Sequence, residues 1–200
     1  MNTPVPLHAP KLLGVVLCGG ASKRMGRDKA ALTTRQGQTF LDHACRRLQT
    51  HCQTVCVSSS PERDIDVQRI PDPPDSHGPI SGIHASLSFA MEHGFDACVF
   101  TPVDTPSLTS TDLQTLIDAF ANHRDQVVCA VSQQTPDHPE PLIAIYPVTL
   151  FDVIDRSIDE EQYSPRRLLR SLSIITIPLS AESCRNINTP SDLDSHSPQP

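Results

Sequence analysis

An apolar run, Leu12 to Leu17, leads directly into Cys18-Gly19-Gly20-Ala21-Ser22-Lys23-Arg24-Met25-Gly26-Arg27-Asp28-Lys29. The run reads as a buried first strand. From Leu17 to Lys29 the chain packs three glycines, one serine and four cationic side chains into thirteen residues. Glycine lets backbone N–H groups approach an anion closely and turn without steric cost. Arginine neutralises phosphate oxygens with a planar fork, lysine as a point charge. A glycine-rich, basic turn after a first strand has the form of a triphosphate cradle, with Lys29 and Arg24 as phosphate contacts beside the N–H groups of residues 18–22.

Two familiar phosphate loops do not fit. The P-loop requires four residues between its glycines and then Lys-Ser/Thr; in this chain five residues separate Gly20 from Gly26, and Arg27-Asp28 follows. The dinucleotide fingerprint G-x-G-x-x-G fails because Gly19 and Gly20 are adjacent. Charge sharpens the reading. The chain carries a net −7, which argues against general nucleic-acid binding, whereas residues 23–29 hold four cations against one anion. Such a basic island in an acidic protein points to an anionic ligand.

At 200 residues and 38% hydrophobic content, the chain reads as one soluble domain over residues 1–194 with a disordered tail over 195–200. No apolar run approaches the ~20 residues of a membrane span, and residues 1–10 lack a secretory signal; the expectation is a cytoplasmic protein that engages neither membrane nor nucleic acid. Seven cysteines without a C-x-x-C pair read as buried free thiols, not a disulfide framework. The nine histidines show no zinc-ligand spacing.

Along the chain, Leu41, Ala44, Cys45 and Leu48 predict a helix over about 40–51. Val55–Val57 and Val67–Ile70 read as strands, and Pro71 to Pro79 as a rigid loop excluded from helix. Ile83, Leu87, Ala90 and Met91 mark a second helix ending near Gly94, Ala97–Phe100 a third buried strand, and Leu113 to Phe120 a helix capped by Thr109 or Ser110. This alternation predicts a doubly wound, mostly parallel α/β sheet with helices on both faces. In such sheets ligands bind beyond the carboxyl ends of the strands, so the glycine loop, the Asp72 loop and the Asp104 loop should gather on one edge. From Val127 the pattern changes: Val127–Val131 and Leu142–Tyr146 read as strands of an antiparallel excursion. A helix near 149–158, another opening at Ser164-Pro165, a last strand over Ser173–Ile177 and a short terminal turn at Asn186 complete the chain.

Asp104 is the strongest catalytic candidate. It ends a buried strand between Pro102 and Pro106. A carboxylate at a strand end opposite a phosphate cradle suits Mg²⁺, which takes one or two protein carboxylates plus substrate phosphates.

The loop G-G-x-S-x-R-M-G-x-D-K resembles the signature of the molybdenum cofactor guanylyltransferase family, within the nucleotidyltransferases of the nucleotide-diphospho-sugar-transferase-like Rossmann variant. Three further motifs follow in that family's order: Asp72 before Gly78-Pro79-Ile80-Ser81-Gly82, then Pro102-Val103-Asp104-Thr105-Pro106, then Asn186-Ile187-Asn188-Thr189-Pro190-Ser191-Asp192-Leu193. The resemblance spans about residues 12–194. It implies transfer of GMP from GTP to the terminal phosphate of molybdenum-molybdopterin, with Mg²⁺ as cofactor. It implies that the main chain of Leu17, Cys18 and Gly19 meets the nucleotide, with Cys18 replacing the usual alanine. Lys29 is placed on the phosphates, Asp104 on the metal, and Asp72 on the nucleotide. Ser58 falls where family members often carry asparagine. Asn186 and Asn188 would complete a metal shell or bind the second substrate. A pterin-side pocket is implied in the C-terminal half, with Pro139-Glu140-Pro141-Leu142 and cations among Arg156, Arg166, Arg167 and Arg170. Molybdenum-insertion proteins or apo-molybdoenzymes would be transient partners. Cytidylyl transfer to the same cofactor, transfer to another acceptor phosphate, and a non-catalytic nucleotide sensor remain as alternatives. Asp104 speaks against the last.

Overall fold

The computed structural model describes residues 9–19, 29–33, 37–61, 65–188 and 192. The glycine loop from Gly20 to Asp28, with Lys23 and Arg24, lies outside the described residues, as do Thr189 to Ser191 and the tail 195–200.

Seven strands form one sheet in the order β3-β2-β1-β4-β6-β5-β7. They are β1 (Leu12–Leu17), β2 (Thr54–Ser59), β3 (Arg69–Pro71), β4 (Ala97–Pro102), β5 (Val127–Ser132), β6 (Pro139–Pro147) and β7 (Ile174–Leu179). All run parallel except β6, which lies antiparallel to both β4 and β5. The antiparallel excursion is therefore a single strand inserted between two parallel neighbours. Its register slips between Cys129 and Ala130, which face Ala144 and Glu140. Pro141, between the two registers, cannot donate to a ladder; the buried Tyr146 hydroxyl donates to the Pro141 carbonyl at 3.0 Å.

Alternation along β1 divides the core. Leu12 and Val16 face one layer, with Phe40, Ala44 and Leu48 of α1 (Phe40–Gln49) and Leu113, Leu116 and Phe120 of α3 (Ser110–Asn122). Leu13, Val15 and Leu17 face the other, with Ile80, Ile83 and Leu87 of α2 (Pro79–Glu92), Ile154 of α4 (Phe151–Asp159), and Leu168 and Leu169 of α5 (Pro165–Ser171). Helices on both faces of a mostly parallel sheet match the predicted architecture. Gly14 lets α1 lie close on β1: a Cβ there would stand 3.1 Å from Leu48 Cβ.

Local signals are equally visible. Thr109 and Asp112 form a reciprocal capping box at the start of α3, and Ser164 caps α5 ahead of Pro165. Three expectations need correction. Pro79 belongs to α2, at the first helical position where its missing N–H costs nothing. Pro71 is the last residue of β3, at the sheet edge, where proline is tolerated. Asp104 does not end a strand: β4 stops at Pro102, and Asp104 stands two residues into the following turn. All seven cysteines are free, six of them buried. Burial pushes the thiols of Cys45, Cys52 and Cys129 up to about 12, so they stay neutral and serve as core.

Candidate functional site

Parallel pairing brings the ends of β1, β2, β3 and β4 level. Leu17 pairs with Ser58 on one side and Pro102 on the other, while Ser59 pairs with Pro71. The chains that leave β1, β3 and β4 at this edge begin the three predicted loops. The backbone then ties the loops together. Cys18 N donates to Ser58 O at 2.8 Å, Asp72 N to Ser59 O at 3.0 Å, and Val103 N to Leu17 O at 3.1 Å. Leu17 is thus the common neighbour of the Asp72 and Asp104 groups.

On the β2–β3 side, Ser58 is fully buried and its hydroxyl donates to Asp72 Oδ1 at 2.8 Å. Gly19 is exposed beside this pair: a Cβ on it would meet Asp72 Oδ2 at 3.2 Å. Gly82, in the second turn of α2, completes the group. A Cβ at Gly82 would stand 2.6 Å from Ser58 Oγ, 3.3 Å from Leu17 Cδ2 and 3.6 Å from Asp72 Oδ1. The residue is glycine because α2 presses its backbone against three site residues at once. Gly82→Ala would force the Ser58 hydroxyl off Asp72 or push α2 from the sheet. The expected loss is about 1–3 kcal/mol of stability, read by urea unfolding, together with weaker nucleotide binding. An unchanged midpoint and affinity would contradict the close packing.

On the β4 side, Asp104 is half-buried in a turn held at several points. Thr105 Oγ1 donates back to Pro102 O at 3.0 Å. Ile187 N donates to Asp104 O at 2.8 Å, and Ile187 itself is fully buried. That single bond brings the C-terminal Asn186 and Asn188 alongside Asp104, both exposed. The Asn188 N–H donates to Asp192 Oδ2 at 2.8 Å. Lys29 opens a short 3-10 turn, Lys29–Ala31, that contacts α1; its side chain and all of Arg24 lie outside the described parts. Leu17, Cys18, Gly19, Ser58, Asp72, Asp104, Asn186 and Asn188 thus converge on one sheet edge, in two groups joined through Leu17.

Sequence reading missed the support of the Asp104 turn from α1. Arg47 is buried at 6% exposure and donates from Nη1 to Leu108 O at 2.7 Å and Thr105 O at 3.2 Å. One turn earlier, His43 Nε2 donates to Pro106 O at 3.1 Å. The available signal was an arginine between Ala44 and Leu48, on the face the helix buries. In the C-terminal half, Arg166 pairs with Glu140 at 3.3 Å, and Tyr163 stacks on the ring of His77, from the loop before α2, at 3.8 Å.

Among the described residues no group of three His, Cys, Asp or Glu side chains could by itself hold a metal. No described helix is long and apolar enough to cross a membrane.

Known proteins share both sequence and fold. Residues 14–175 match the family described as the MobA-like NTP transferase domain. A probable molybdenum cofactor guanylyltransferase of Rhodopirellula baltica is 41% identical, the alignment covering 96% of this chain and 94% of that protein. A molybdenum cofactor guanylyltransferase of Rhizobium johnstonii is 33% identical over 94% and 92%. The crystal structure of molybdopterin-guanine dinucleotide biosynthesis protein A from Archaeoglobus fulgidus superposes with a TM-score of 0.73 at 23% identity, covering 92% of this chain and 95% of its own. By the extent of these matches, the chain belongs to the MobA-like NTP transferase family.

Proposed function

We propose that this protein transfers GMP from GTP to the terminal phosphate of molybdenum-molybdopterin and releases pyrophosphate. The observation that carries the reading is the convergence on Leu17: a buried hydroxyl bonded to the half-buried carboxylate of Asp72 on one side and the half-buried Asp104 on the other, at the carboxyl edge of one sheet. One group suits a nucleobase and ribose; the other, through a divalent cation, would suit a polyphosphate.

An oxygen of the acceptor phosphate attacks the α-phosphorus in line, and the bond to the β-phosphate oxygen breaks. The second pKa of a phosphate monoester lies near ~6, so the nucleophile is already ionised at neutral pH and needs no general base. Catalysis then rests on positioning and charge neutralisation. Lys29 and Arg24 neutralise charge on the departing pyrophosphate, while the backbone of Leu17, Cys18 and Gly19 positions the nucleotide. Ser58 holds Asp72 toward it.

The donors present fit Mg²⁺. One carboxylate with two asparagines alongside falls short of a complete protein cage, and Mg²⁺ characteristically keeps waters and substrate phosphates in its shell. Asp104 would hold the ion, with Asn186 or Asn188 adding an amide oxygen. Bound there, Mg²⁺ would supply charge neutralisation on the phosphate oxygens.

Lys29→Ala is expected to weaken triphosphate binding and slow the chemical step together, because lysine meets charge that grows in the transition state. Lys23→Ala, at a variable position of the loop pattern, should do much less. Steady-state kinetics on both variants test this. Equal losses would mean a diffuse basic patch in place of a defined cradle.

A further inference from the structure

We propose that Arg47, with His43 one turn before it, is a positioning residue that holds the Asp104 turn in its reactive geometry by clamping the carbonyls that follow Asp104. The inference rests on the reading of Asp104 as the carboxylate that serves the phosphate centre.

Arg47 sits on the buried face of α1 among Ala44, Cys45 and Leu48. Its Nε is buried without a hydrogen-bond partner. No carboxylate of the described residues stands within ion-pair distance of it, and the carboxylate that offsets its burial from farther off is Asp112 on the first turn of α3. Taking an arginine out of water without a paired carboxylate is expensive. A leucine would continue the apolar face of the helix and avoid that cost. What the arginine gains instead is specific: Nη1 bridges Leu108 O and Thr105 O, the latter also accepting from Leu108 N at 3.3 Å, a link between the two ends of the turn that a hydrocarbon could not make.

Those carbonyls bracket the return from Asp104 into α3. Pro106 O between them is taken by His43. On the other side of Asp104, Val103 N is fixed to Leu17 O. Asp104 is therefore held from β1 just before it and from α1 just after it. Its own carbonyl is taken by Ile187. Burial lowers the Arg47 guanidinium to about 10, with Asp112 opposing, so it remains charged, with its donors intact, at neutral pH. Arg47 does not need to touch substrate. It acts by removing freedom from the turn, and small misplacements of a reacting group carry large rate penalties.

The test is a mutant cycle between Arg47→Lys and Asp104→Asn, read by pyrophosphate release and by amide hydrogen exchange on the nucleotide-free protein. Arg47→Lys should lower kcat about 10-fold while KM for GTP stays within about 2-fold. Exchange should accelerate at Leu108 and its neighbours in the turn, but not in β1 or β4. In the Asp104→Asn background the same lysine should cost no more than about 2-fold, since what it positions is gone. Equal losses in both backgrounds, or faster exchange with unchanged kcat, would overturn the inference alone. Wild-type turnover by Asp104→Asn by itself would overturn the reading of Asp104 and the inference with it. Should Arg47→Lys not fold, His43→Leu removes only the Pro106 bond. It should give a smaller kcat loss with the same dependence on Asp104, and an unchanged kcat there overturns the clamp.

Discussion

Asp104→Asn is expected to reduce turnover at least ~100-fold, equivalent to about 2.7 kcal/mol of transition-state stabilisation, in a protein that still folds. Folding should survive because backbone bonds tie the turn at Asp104: Val103 N to Leu17 O before it and Ile187 N to Asp104 O upon it. Asparagine has nearly the same shape and leaves both intact. What it lacks is the negative charge, and a neutral amide is a poorer partner for a hard divalent cation. The loss should fall on kcat, with GTP affinity in the absence of Mg²⁺ little changed, because the Ser58–Asp72 group lies on the other side of Leu17. Pyrophosphate release at saturating GTP, with circular dichroism on the same sample, checks it. Wild-type turnover at the same Mg²⁺ concentration would move the metal site elsewhere.

GTP should be preferred over CTP by at least ~100-fold in kcat/KM, again about 2.7 kcal/mol. Neither the phosphate loop nor Asp104 can tell one base from another. On the proposed reading, discrimination falls to the groups around Leu17, Ser58 and Asp72. There the structure offers a carboxylate already oriented by a buried hydroxyl at 2.8 Å, beside a glycine backbone 3.2 Å from its other oxygen when measured from an added Cβ. Guanine presents N1–H and N2–H₂ donors next to O6. A site that pairs with such donors leaves polar groups unsatisfied when another base enters, at about 1–3 kcal/mol for each. The serine at position 58 enters this argument through Asp72, which it orients.

Much of the sheet was legible because its strands are short apolar runs, each followed by a loop with its own turn residues. Leu12–Leu17 and Ala97–Phe100 are buried on both faces, as interior strands of a parallel sheet must be. That the chains leaving β1, β3 and β4 start from one edge follows from parallel order alone. The place of β6 does not. The apolar run Leu142–Tyr146 marks a strand, but nothing local says that it pairs with β4 on one side and β5 on the other, since pairing is decided by long-range packing. The start of α2 was misjudged for a related reason. A proline-rich segment reads as loop until one sees that Pro79 is at the one helical position that needs no N–H donor.

The site divides the same way. Asp72, Asp104, Asn186 and Asn188 stand out through their motifs. That Asn186 and Asn188 meet Asp104 depends on a bond from Ile187, more than eighty positions along the chain, which only the fold supplies. Arg47 was overlooked because a cation on a helix is ordinarily solvated; its burial becomes meaningful only when the Thr105 and Leu108 carbonyls are seen at its end. Gly82 was noticed as part of a motif, but its reason, contact with Ser58, Leu17 and Asp72 together, is three-dimensional.

The central claim, guanylyl transfer onto the molybdenum cofactor, is tested most directly by pyrophosphate release in the presence of Mg²⁺, with GTP or CTP, each with and without molybdenum-molybdopterin. The account predicts rapid release only when GTP and the cofactor are both present, one pyrophosphate for each guanine dinucleotide formed. Faster release with CTP would contradict the guanylyl assignment and leave the fold and the phosphate chemistry standing. No release with any nucleotide, from protein that binds GTP, would contradict the enzyme reading itself.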